Sequence, residues 1–336
     1  MPTLPICYDG YAALFKAFCL AMPAGGDILY AALIMAGALL LDRLLGEPRH
    51  AHPLVGFGWL ANSVETRLNR AVFSPGVARL RGVLAVGVLL VPFVMLSTLA
   101  VHTLVLASAI EVLMLYLTLG GQSLAEHARR VGVALRANDL DAARLHVGFM
   151  VSRDTASMQR EDAARAAVES VLENGNDAVF GALFWFAVAG APGALFYRLA
   201  NTLDAMWGYR TPRYRHFGWA AARLDDLLNF IPAQLTAFTY TILGNPARAW
   251  RCWRSQGGLW ESPNAGPVMA AGAGALGVTL GGPAYYHGAW KERPALGEGL
   301  PAVVNDIERA VLLVGRGVLL WLGVLLAIAA GGSLLA

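Results

Sequence analysis

Charge is scarce in this sequence, and lysine is nearly absent. Charged residues make up 15% of the 336 residues and hydrophobic residues 57%, whereas an ordinary soluble domain carries about 25% charged residues. Only Lys16 and Lys291 are lysines, the net charge is +3, and there is no basic tract of the kind that binds nucleic acid. The composition therefore predicts an integral membrane protein that does not bind nucleic acid.

Cysteine is rare, and the common catalytic motifs are missing. Cys7, Cys19 and Cys252 share no pairing spacing and form no CxxC, so neither a disulfide framework nor a zinc site is indicated. The sequence has no P-loop, no G-x-S-x-G, no H-E-x-x-H and no G-x-G-x-x-G at a strand-to-helix turn. These absences argue against the usual nucleotide-loop, serine-hydrolase, zinc-protease and dinucleotide-binding sites.

Long apolar runs, in contrast, are abundant. A helix needs about 20 mostly apolar residues to cross the hydrocarbon core, and such runs cover residues 28–45, 82–119, 178–197, 227–244 and 317–335. The second run is long enough for two spans that turn near residues 92–102 or slightly later. No segment alternates like a strand. We therefore predict an all-α polytopic membrane protein with about four to six transmembrane or re-entrant helices.

Two parts of the chain leave the membrane topology open. Residues 266–286 are uncharged but dominated by Gly and Ala, so we expect them to pack tightly or to re-enter rather than to face lipid. If residues 178–197 and 227–244 both cross fully, the segment 200–226 between them lies outside the cell. If they re-enter, that segment is cytoplasmic.

Two arginine-rich regions, residues 46–81 and 121–177, flank the double run 82–119. A helical hairpin between them places both regions on one side of the membrane, and their arginine content makes that side cytoplasmic. The first span then starts outside the cell.

Residues 121–177 are predicted to form amphipathic helices. Ser123 and Glu126 have the spacing of a capping box at a helix N-terminus. Further along, charged residues recur every four positions and share one helical face: Glu161, Arg165, Glu169 and Glu173.

The domain prediction is one membrane domain over residues 28–336 that includes the polar helical region 121–177. A variable N-terminal extension over residues 1–27 precedes it. This extension is not predicted to be a signal peptide, because Lys16 interrupts its apolar part and no clean A-x-A site follows.

Short polar motifs lie beside the apolar runs. They are SRDT (152–155), ESVLENGND (169–177), ANTLDAMWGYR (200–210), AARLDDLLNF (221–230) and ESPNAG (261–266). Each alone has an ordinary explanation, such as a helix end at the membrane surface or an exposed pair of Arg223 with Asp226. Charged groups at a hydrocarbon boundary are nevertheless costly unless they are paired, hydrated or used. Together the five motifs predict one polar cavity at the membrane interface.

These motifs, with LDRLLGEPRHAHPLVGFG before them and GALGVTLGGP after them, occur in this order in the cobalamin-biosynthesis CobD/CbiB family. From about residue 30 to the C-terminus the sequence resembles the adenosylcobinamide-phosphate synthases of that family. The resemblance implies a multi-pass enzyme of the bacterial inner membrane. It also implies ATP-dependent amide ligation of the propionate carboxyl of adenosylcobyric acid to aminopropanol or aminopropanol phosphate.

The sequence departs from the family pattern at several positions. Glu47 replaces the aspartate of Gly-Asp-Pro, Ala51 replaces the first proline of Pro-His-Pro, and Ser152 replaces a glycine. After SPNAG, Pro267-Val268-Met269 stands where the family commonly has Trp-Pro-Glu. The carboxylate lost at the last position is either dispensable, or the activity of this member has changed.

Amide ligation requires an activated carboxyl group, and the resemblance implies that ATP with Mg²⁺ supplies the activation. Because Mg²⁺ prefers carboxylate oxygens, the expected metal ligands are Asp177, Asp225 and Asp226. The expected catalytic carboxylates are those of Asp225, Asp226, Asp204, Glu169 and Glu173.

A second set of residues is expected to bind the substrates. Its arginines suit phosphates and carboxylates because the guanidinium is a planar, two-pronged donor. Its asparagines suit the peripheral amides of the corrinoid or the orientation of the amine. The set is Arg153, Asp154, Arg223, Asn174, Asn201, Asn264 and His52, although His52 beside Pro53 also fits a residue that only shapes a turn.

Two other classes of function remain open. A small-solute transporter also places carboxylates beside broken helices, but the long polar regions and the lack of a visible inverted repeat count against it. A non-catalytic signalling protein of the same family, linked to β-lactamase regulation, would not need every carboxylate. The expected partners are the corrinoid, the aminopropanol substrate, the lipid bilayer and other membrane enzymes of late cobalamin assembly.

Overall fold

The computed structural model describes residues 25–48, 52–70, 74–286 and 289–335. The predicted N-terminal extension, residues 1–27, lies almost wholly outside the described residues.

Helices dominate the described part of the chain. In chain order they are α1 (Gly25–Leu45), α2 (Pro53–Leu68), α3 (Pro75–Thr103), α4 (Ala107–Thr118), α5 (Gly121–Arg136), α6 (Leu140–Gly148), α7 (Arg160–Gly175), α8 (Gly181–Trp207), α9 (Trp219–Leu243), α10 (Pro246–Gln256), α11 (Ala265–Leu276) and α12 (Val304–Leu335). A π-helical turn (Asn176–Phe180) joins α7 to α8, and a 3₁₀ turn (Gly257–Leu259) follows α10. The predicted all-α fold class is confirmed.

Short strands that the sequence did not predict lie between α11 and α12. They are β1 (Val278–Gly281), β2 (Ala284–Tyr286), β3 (Ala289–Lys291), β4 (Ala295–Leu296) and β5 (Leu300–Pro301). β1 pairs antiparallel with β4 and parallel with β5, while β2 and β3 form an antiparallel pair. With two to four residues each, these strands are too short for their side chains to show a period of two in the sequence.

Five helical segments are long and apolar enough to cross a membrane: Ile28–Leu45, Pro75–Thr103, Ala107–Arg136, Arg160–Trp207 and Val304–Gly332. Many of their large apolar side chains are exposed, including Leu33, Leu40, Val88, Met95 and Leu319. Such a density of exposed apolar groups is typical of a surface that faces lipid rather than water. The chain is a multi-pass membrane protein.

Two apolar cores lie along the molecule. The first packs α1, α3 and α4 against α8 and the C-terminal part of α12. The second packs α5, α6, α7, α10 and α11 with the short strands and the first turns of α12. Helix α9 joins the two, because Ala221 and Leu228 belong to the first core while Ala233, Ala237 and Tyr240 belong to the second.

Helices α3 and α4 form the predicted hairpin. Helix α3 continues through Pro92 and ends at Thr103, and Ala107 begins α4 after a three-residue turn. The turn is slightly later than residues 92–102, within the predicted range. The arginine-rich regions before α3 and after α4 therefore lie at the same end of the molecule.

The apolar run 178–197 reverses direction within α8. Ala189 has φ −138° and ψ 21°, and Gly190 has φ 62° and ψ −161°, so the helix breaks there. The Tyr197 hydroxyl donates a hydrogen bond to the Asp177 carbonyl at 3.0 Å, whereas a straight helix would separate these residues by about 30 Å. A positive φ is accessible to glycine at little cost, which explains the reversal at Gly190.

The first arm of this hairpin is too short to cross a bilayer. From Gly181 to Ala189 the first arm rises by roughly 13 Å, less than half of the hydrocarbon thickness of about 30 Å. Length and composition alone would count residues 160–207 as one span, but the reversal makes the apolar part re-entrant. The segment 200–226 consequently returns to the end where residues 121–177 lie.

The apolar run 227–244 is a core helix rather than a crossing. It forms most of α9, which is not among the five candidate spans. The Tyr240 hydroxyl donates to the Leu172 carbonyl at 3.1 Å, and a Cβ added at Gly244 would lie only 2.3 Å from Ala275. Much of the run is apolar because α9 packs against α8 and α11.

The predicted capping box at Ser123 and Glu126 is wrong. Helix α5 begins two residues earlier, at Gly121, and a carboxylate from another helix satisfies its first turn. The Gln122 N–H donates to Asp42 at 3.0 Å, and the Gln122 side chain donates to Glu126 at 3.0 Å.

Every residue of α11 is buried, as expected for a Gly- and Ala-rich segment that does not face lipid.

We predict the accessibility of three single cysteines in a chain whose native cysteines have been replaced. Val105→Cys in the α3–α4 turn should react with a membrane-impermeant maleimide in intact cells. Asp141→Cys and Arg215→Cys should react only after the cells are permeabilised, because both lie at the arginine-rich end, which is predicted to face the cytoplasm. Reaction of residue 215 together with residue 105 in intact cells would contradict the re-entrant hairpin.

Candidate active site

The five polar motifs meet at two adjoining cavities of about 620 and 590 Å³. Both cavities are lined by the same group of residues: Ser152, Glu173, Asp177, Asp204, Gly208 and Tyr209. Every one of the five motifs contributes at least one lining residue. The five motifs therefore meet, but in two adjoining lobes rather than in the one cavity that the sequence predicted.

The first lobe contains the arginines Arg153 and Arg293 beside the carboxylates that both lobes share, whereas the second lobe adds the adjacent aspartates Asp225 and Asp226. Among the predicted residues, the first lobe contains Arg153, Glu169, Asn174 and Asn201. The second lobe contains Arg223, Asp225, Asp226 and Asn264. We call them the basic lobe and the acidic lobe.

The hairpin of α8 brings distant parts of the sequence to this site. Glu173 and Asp177 lie where α7 passes into the π-helical turn, before the hairpin. Asn201 and Asp204 lie on the arm that returns from Gly190. The first turns of α9 then add Asp225 and complete the site.

Asp225 is the centre of the acidic lobe. Its Oδ1 accepts hydrogen bonds from the Asn201 and Asn229 side-chain amides, both at 3.0 Å. Burial raises the pKa of Asp225 to about 6, although both amide hydrogen bonds oppose the shift, and the neighbouring charge of Asp226 adds to it. Burial also raises the pKa of Asp226, against the charge of Arg223. The lobe therefore favours binding of a cation that offsets this buried negative charge.

A buried polar network holds the acidic lobe in place. The Asn176 amide donates to the Asp177 carboxylate and to Asn229 Oδ1, both at 2.9 Å. The Tyr197 hydroxyl donates to Asn229 Oδ1 at 2.8 Å, and the Thr236 hydroxyl donates to Asn176 Oδ1 at 3.0 Å. Because the members come from three elements, the network fixes the π-helical turn, α8 and α9 relative to one another.

The position of the Asp204 carboxylate depends on a glycine at position 208. A Cβ added to Gly208 would lie 2.0 Å from the Asp204 carboxylate oxygen. Any other residue at that position would therefore require the Asp204 carboxylate to shift.

In the basic lobe, Glu169 binds three partners. Its Oε2 lies 2.9 Å from Arg153 Nη2 and 3.3 Å from Arg293 Nη2, and its Oε1 accepts the Gly281 N–H at 2.7 Å. Arg165 Nε lies 4.0 Å from the same carboxylate. Glu169 is thus a buried counter-charge that links α7 to the strands and holds the arginines of this lobe in place.

Arg293 is a site residue that the sequence did not reveal. It lines the basic lobe, its guanidinium lies 5.0 Å from the Trp260 ring centroid, and its Nε donates to the Gly282 carbonyl at 2.9 Å. It lies between β3 and β4, two strands too short to show a period in the sequence, so nothing local indicated its position. The charged cluster KERP (291–294) after an uncharged stretch was the available signal.

Asn264 lines the acidic lobe and has a buried acceptor atom without a partner in the described part of the chain. Its amide donates to the Asp226 carbonyl at 2.9 Å, which ties α9 to the start of α11. Its Oδ1 is buried and has no hydrogen-bond partner among the described residues. A buried acceptor without a partner is costly, so this atom fits the N–H of a bound substrate.

Two of the predicted substrate-binding residues lie outside both lobes. His52 caps α2, where its Nδ1 accepts the Leu54 N–H at 3.1 Å and its Nε2 lies 3.9 Å from Glu47. Asp154 is exposed, and its backbone N–H donates to the Tyr285 carbonyl at 3.1 Å. His52 therefore shapes a turn, the simpler of the two sequence interpretations.

The chemistry of the acidic lobe fits a hard divalent cation. Asp177, Asp225 and Asp226 supply carboxylate oxygens, as Mg²⁺ prefers. Within the described ranges no three His, Cys, Asp or Glu side chains are arranged as a ready-made metal cluster. Mg²⁺ usually takes one or two carboxylates together with water and substrate phosphates, so these residues fit a cation that arrives with a phosphorylated substrate. Their role as metal ligands stays a prediction.

The lost carboxylate of the Trp-Pro-Glu pattern falls at the site itself. Val268 lines the acidic lobe and Met269 lines the basic lobe. Met269 in place of the glutamate thus changes the lining of the basic lobe and removes a negative charge from it.

Comparison with known proteins agrees with this architecture. The family model described as CobD/Cbib protein matches residues 35–314. A protein from Chromobacterium violaceum named cobalamin biosynthesis protein CobD is 58% identical over 303 residues, which cover 89% of this chain and 96% of the relative. A protein of the same name from Stutzerimonas stutzeri is 56% identical over 294 residues, covering 88% and 96%. One from Mycobacterium tuberculosis strain H37Rv is 43% identical over 285 residues, covering 82% and 88%.

No solved structure matches the chain. The family match spans most of the sequence, including all five motifs of the site. The chain therefore belongs to the CobD/CbiB family.

Proposed function

We propose that the protein acts in cobalamin biosynthesis and joins a carboxyl group to an amine in the two-lobed cavity. The observation that carries the proposal is the contact between an arginine-lined lobe and an aspartate-lined lobe through shared residues. An anionic carboxyl or phosphate group suits the first lobe, and a cation suits the second. The reaction expected from the family resemblance needs both.

In this proposal the basic lobe binds the anionic substrate groups. Arg153 and Arg293 both point a guanidinium nitrogen at Glu169, which fixes their orientation. The lobe also holds carboxylates, so the two oriented guanidinium groups, rather than a net positive charge, would receive a substrate carboxylate or phosphate. Asn174, whose amide donates to the Ser170 carbonyl at 2.9 Å, lines the same lobe.

The acidic lobe holds the amine and takes up its proton. ATP with Mg²⁺ supplies the phosphoryl group that converts the carboxylate into an electrophile, and Asp177, Asp225 and Asp226 are the residues that would hold the metal. An amine must lose a proton as it becomes an amide, and an aspartate whose pKa lies near 6, such as Asp225, is suited to accept it. The free Oδ1 of Asn264 can orient the attacking N–H.

The proposed substrates are adenosylcobyric acid and aminopropanol or aminopropanol phosphate, and the product is adenosylcobinamide or its phosphate. The proposed location is the bacterial inner membrane with both lobes open to the cytoplasm, because the arginine-rich regions lie at the same end as the site. That side supplies ATP and the soluble intermediates, and it allows association with other membrane enzymes of late cobalamin assembly.

The direct test is complementation. A bacterial strain that lacks its own synthase should regain growth that depends on late corrinoid assembly when it receives this gene. Growth on supplied adenosylcobinamide is the positive control, because it bypasses the missing step. A well-expressed, membrane-inserted protein that fails to restore growth would contradict the proposal and favour the signalling role, with Met269 as the first residue to examine.

We predict that Asp225→Asn and Asp226→Asn each lower the ligation rate while the protein remains folded and inserted. The change keeps the size of the side chain but removes the charge that holds a cation or accepts a proton, and loss of a general base costs roughly 100-fold or more in rate. The contacts of Asp225 lead us to expect the larger effect there.

Asp141→Asn is the matched control for these two variants. The Asp141 side chain is 94% exposed and pairs with Arg144, so its loss should leave turnover unchanged. Near-normal turnover in both site variants at saturating ATP and Mg²⁺ would remove this part of α9 from the active site.

Glu169 and Glu173 should behave differently when each is changed to glutamine. Glu169→Gln leaves Arg153 and Arg293 without their buried counter-charge, so we expect a loss of roughly 3–5 kcal/mol in the free energy of unfolding. Glu173 has no ion pair among the described residues, so Glu173→Gln should lower turnover with little loss of stability. The thermal unfolding midpoint and the ligation rate, measured on the same preparations, separate the two effects. A stable but inactive Glu169→Gln protein would instead assign Glu169 a catalytic role.

A further inference from the structure

A third cavity, of about 570 Å³, lies between α1, α5 and α12. Helix α7 separates it from the two-lobed site, since Ser170 and Glu173 line that site while Val171 lines this cavity. The third cavity shares no lining residue with either lobe. It is therefore a separate site, and its assignment does not depend on the proposed function.

The walls of this cavity are apolar and continue onto the membrane-facing surface. Its apolar lining includes Leu39, Leu40, Val179, Val311, Leu312, Val318, Leu319 and Leu322. Leu40 and Leu319 are 57% and 69% exposed, and they lie on α1 and α12, two of the candidate membrane spans. The cavity therefore opens where these helices face the hydrocarbon.

Arginines gather at the polar end of the cavity. Three of them, Arg43, Arg129 and Arg316, line it together with a single carboxylate, that of Asp42. Arg129 is neutralised by Glu308, which accepts two of its hydrogen bonds at 2.9 and 3.0 Å.

The charges of Arg43 and Arg316 are not neutralised in this way. Arg43 donates to the neutral amide oxygen of Gln122 at 3.1 Å. Across the described ranges neither arginine lies within 4.0 Å of a carboxylate oxygen. Asp42 is already engaged by the Gln122 N–H. The polar end of the cavity thus carries positive charge that is available to an anion.

Both arginines lie at the boundary of the hydrocarbon. Arg43 follows the apolar run of α1, and Arg316 precedes the apolar part of α12. They belong to the arginine-rich end of the molecule, where the cytoplasmic leaflet presents anionic lipids.

We propose that this cavity binds one anionic phospholipid. Its phosphate would lie between Arg43 and Arg316, and one acyl chain would follow the apolar wall between α1 and α12. Basic pockets between transmembrane helices on the cytoplasmic side recognise lipid head groups in this way. A free phosphate would satisfy only the arginines and leave the apolar wall unfilled, so charge and apolar surface together favour the lipid.

The test measures lipid that stays bound to the purified full-length protein. Protein in nanodiscs made from equal parts phosphatidylglycerol and phosphatidylcholine is transferred to mild detergent, and bound lipid is counted by native mass spectrometry. We expect one phosphatidylglycerol per chain. Arg43→Gln combined with Arg316→Gln should reduce its retention roughly tenfold or more, since each boundary arginine adds appreciably to the attraction for an anionic lipid.

A second variant tests the cavity without changing charge. A Cβ added at Gly315 meets no atom within 4 Å, and Gly315 lines the cavity, so Gly315→Leu should fill the cavity without a clash. We expect it to lose the lipid as well. Arg67→Gln combined with Arg79→Gln removes the same charge from α2 and α3 and should retain the lipid. A normal gel-filtration profile for each variant shows that it is folded.

Three results would overturn the proposal. Equal retention of phosphatidylglycerol in all variants would show a general attraction of boundary arginines for lipid. Displacement of the bound lipid by millimolar inorganic phosphate would indicate a phosphate site. A stable dimer that Gly315→Leu abolishes would assign the cavity to a second copy of the chain.

Discussion

The reversal of α8 at Gly190 is the constraint on which the candidate site depends. Without it, the acidic residues before the break and those after it would lie tens of ångströms apart along one helix axis. With it, Asp177 and Asp204 line the same cavity, and the hydrogen bond from Tyr197 to the Asp177 carbonyl closes the hairpin. Gly190 permits the turn because its φ of 62° costs glycine little. The apolar residues of the hairpin pack in the first apolar core. The polar residues at the open end of the hairpin therefore lie next to the boundary between the two cores.

Burial gives the two lobes their chemical character. In the basic lobe, one glutamate holds two arginines in fixed orientations, so the positive charge costs little reorganisation when an anion arrives. In the acidic lobe, amide donors from Asn201 and Asn229 stabilise Asp225, yet burial keeps its pKa high. A cation or a transferred proton therefore relieves an electrostatic cost that the folded chain carries. The polar network that holds these groups spans the π-helical turn, α8 and α9, which couples the stability of the core to the geometry of the site.

The sequence predicted the parts of this protein that depend on local composition. The α3–α4 hairpin, the buried Gly- and Ala-rich α11 and the meeting of five polar motifs all follow from apolar runs and the cost of charge at a hydrocarbon boundary. The predictions that failed concern features that depend on tertiary contacts rather than on local composition. Asp42 of α1 caps α5 in place of Ser123, the strands around β1 are too short to show a period, and Arg293 joins the site from beyond them. The apolar run of α9 illustrates the same limit, since hydrophobicity alone does not distinguish a membrane span from a core helix.

The distance between residues 174 and 205 tests the reversal most directly. Spin labels on Asn174→Cys and Ala205→Cys, in a chain without its native cysteines, can be measured by pulsed electron paramagnetic resonance in nanodiscs. Both positions line the basic lobe, so the predicted distance is short, on the order of 20 Å, the width of one ligand cavity plus two label linkers. A continuous helix through Gly190 would place the same positions about 46 Å apart. A distribution centred near that longer distance would contradict the hairpin and, with it, the single two-lobed site.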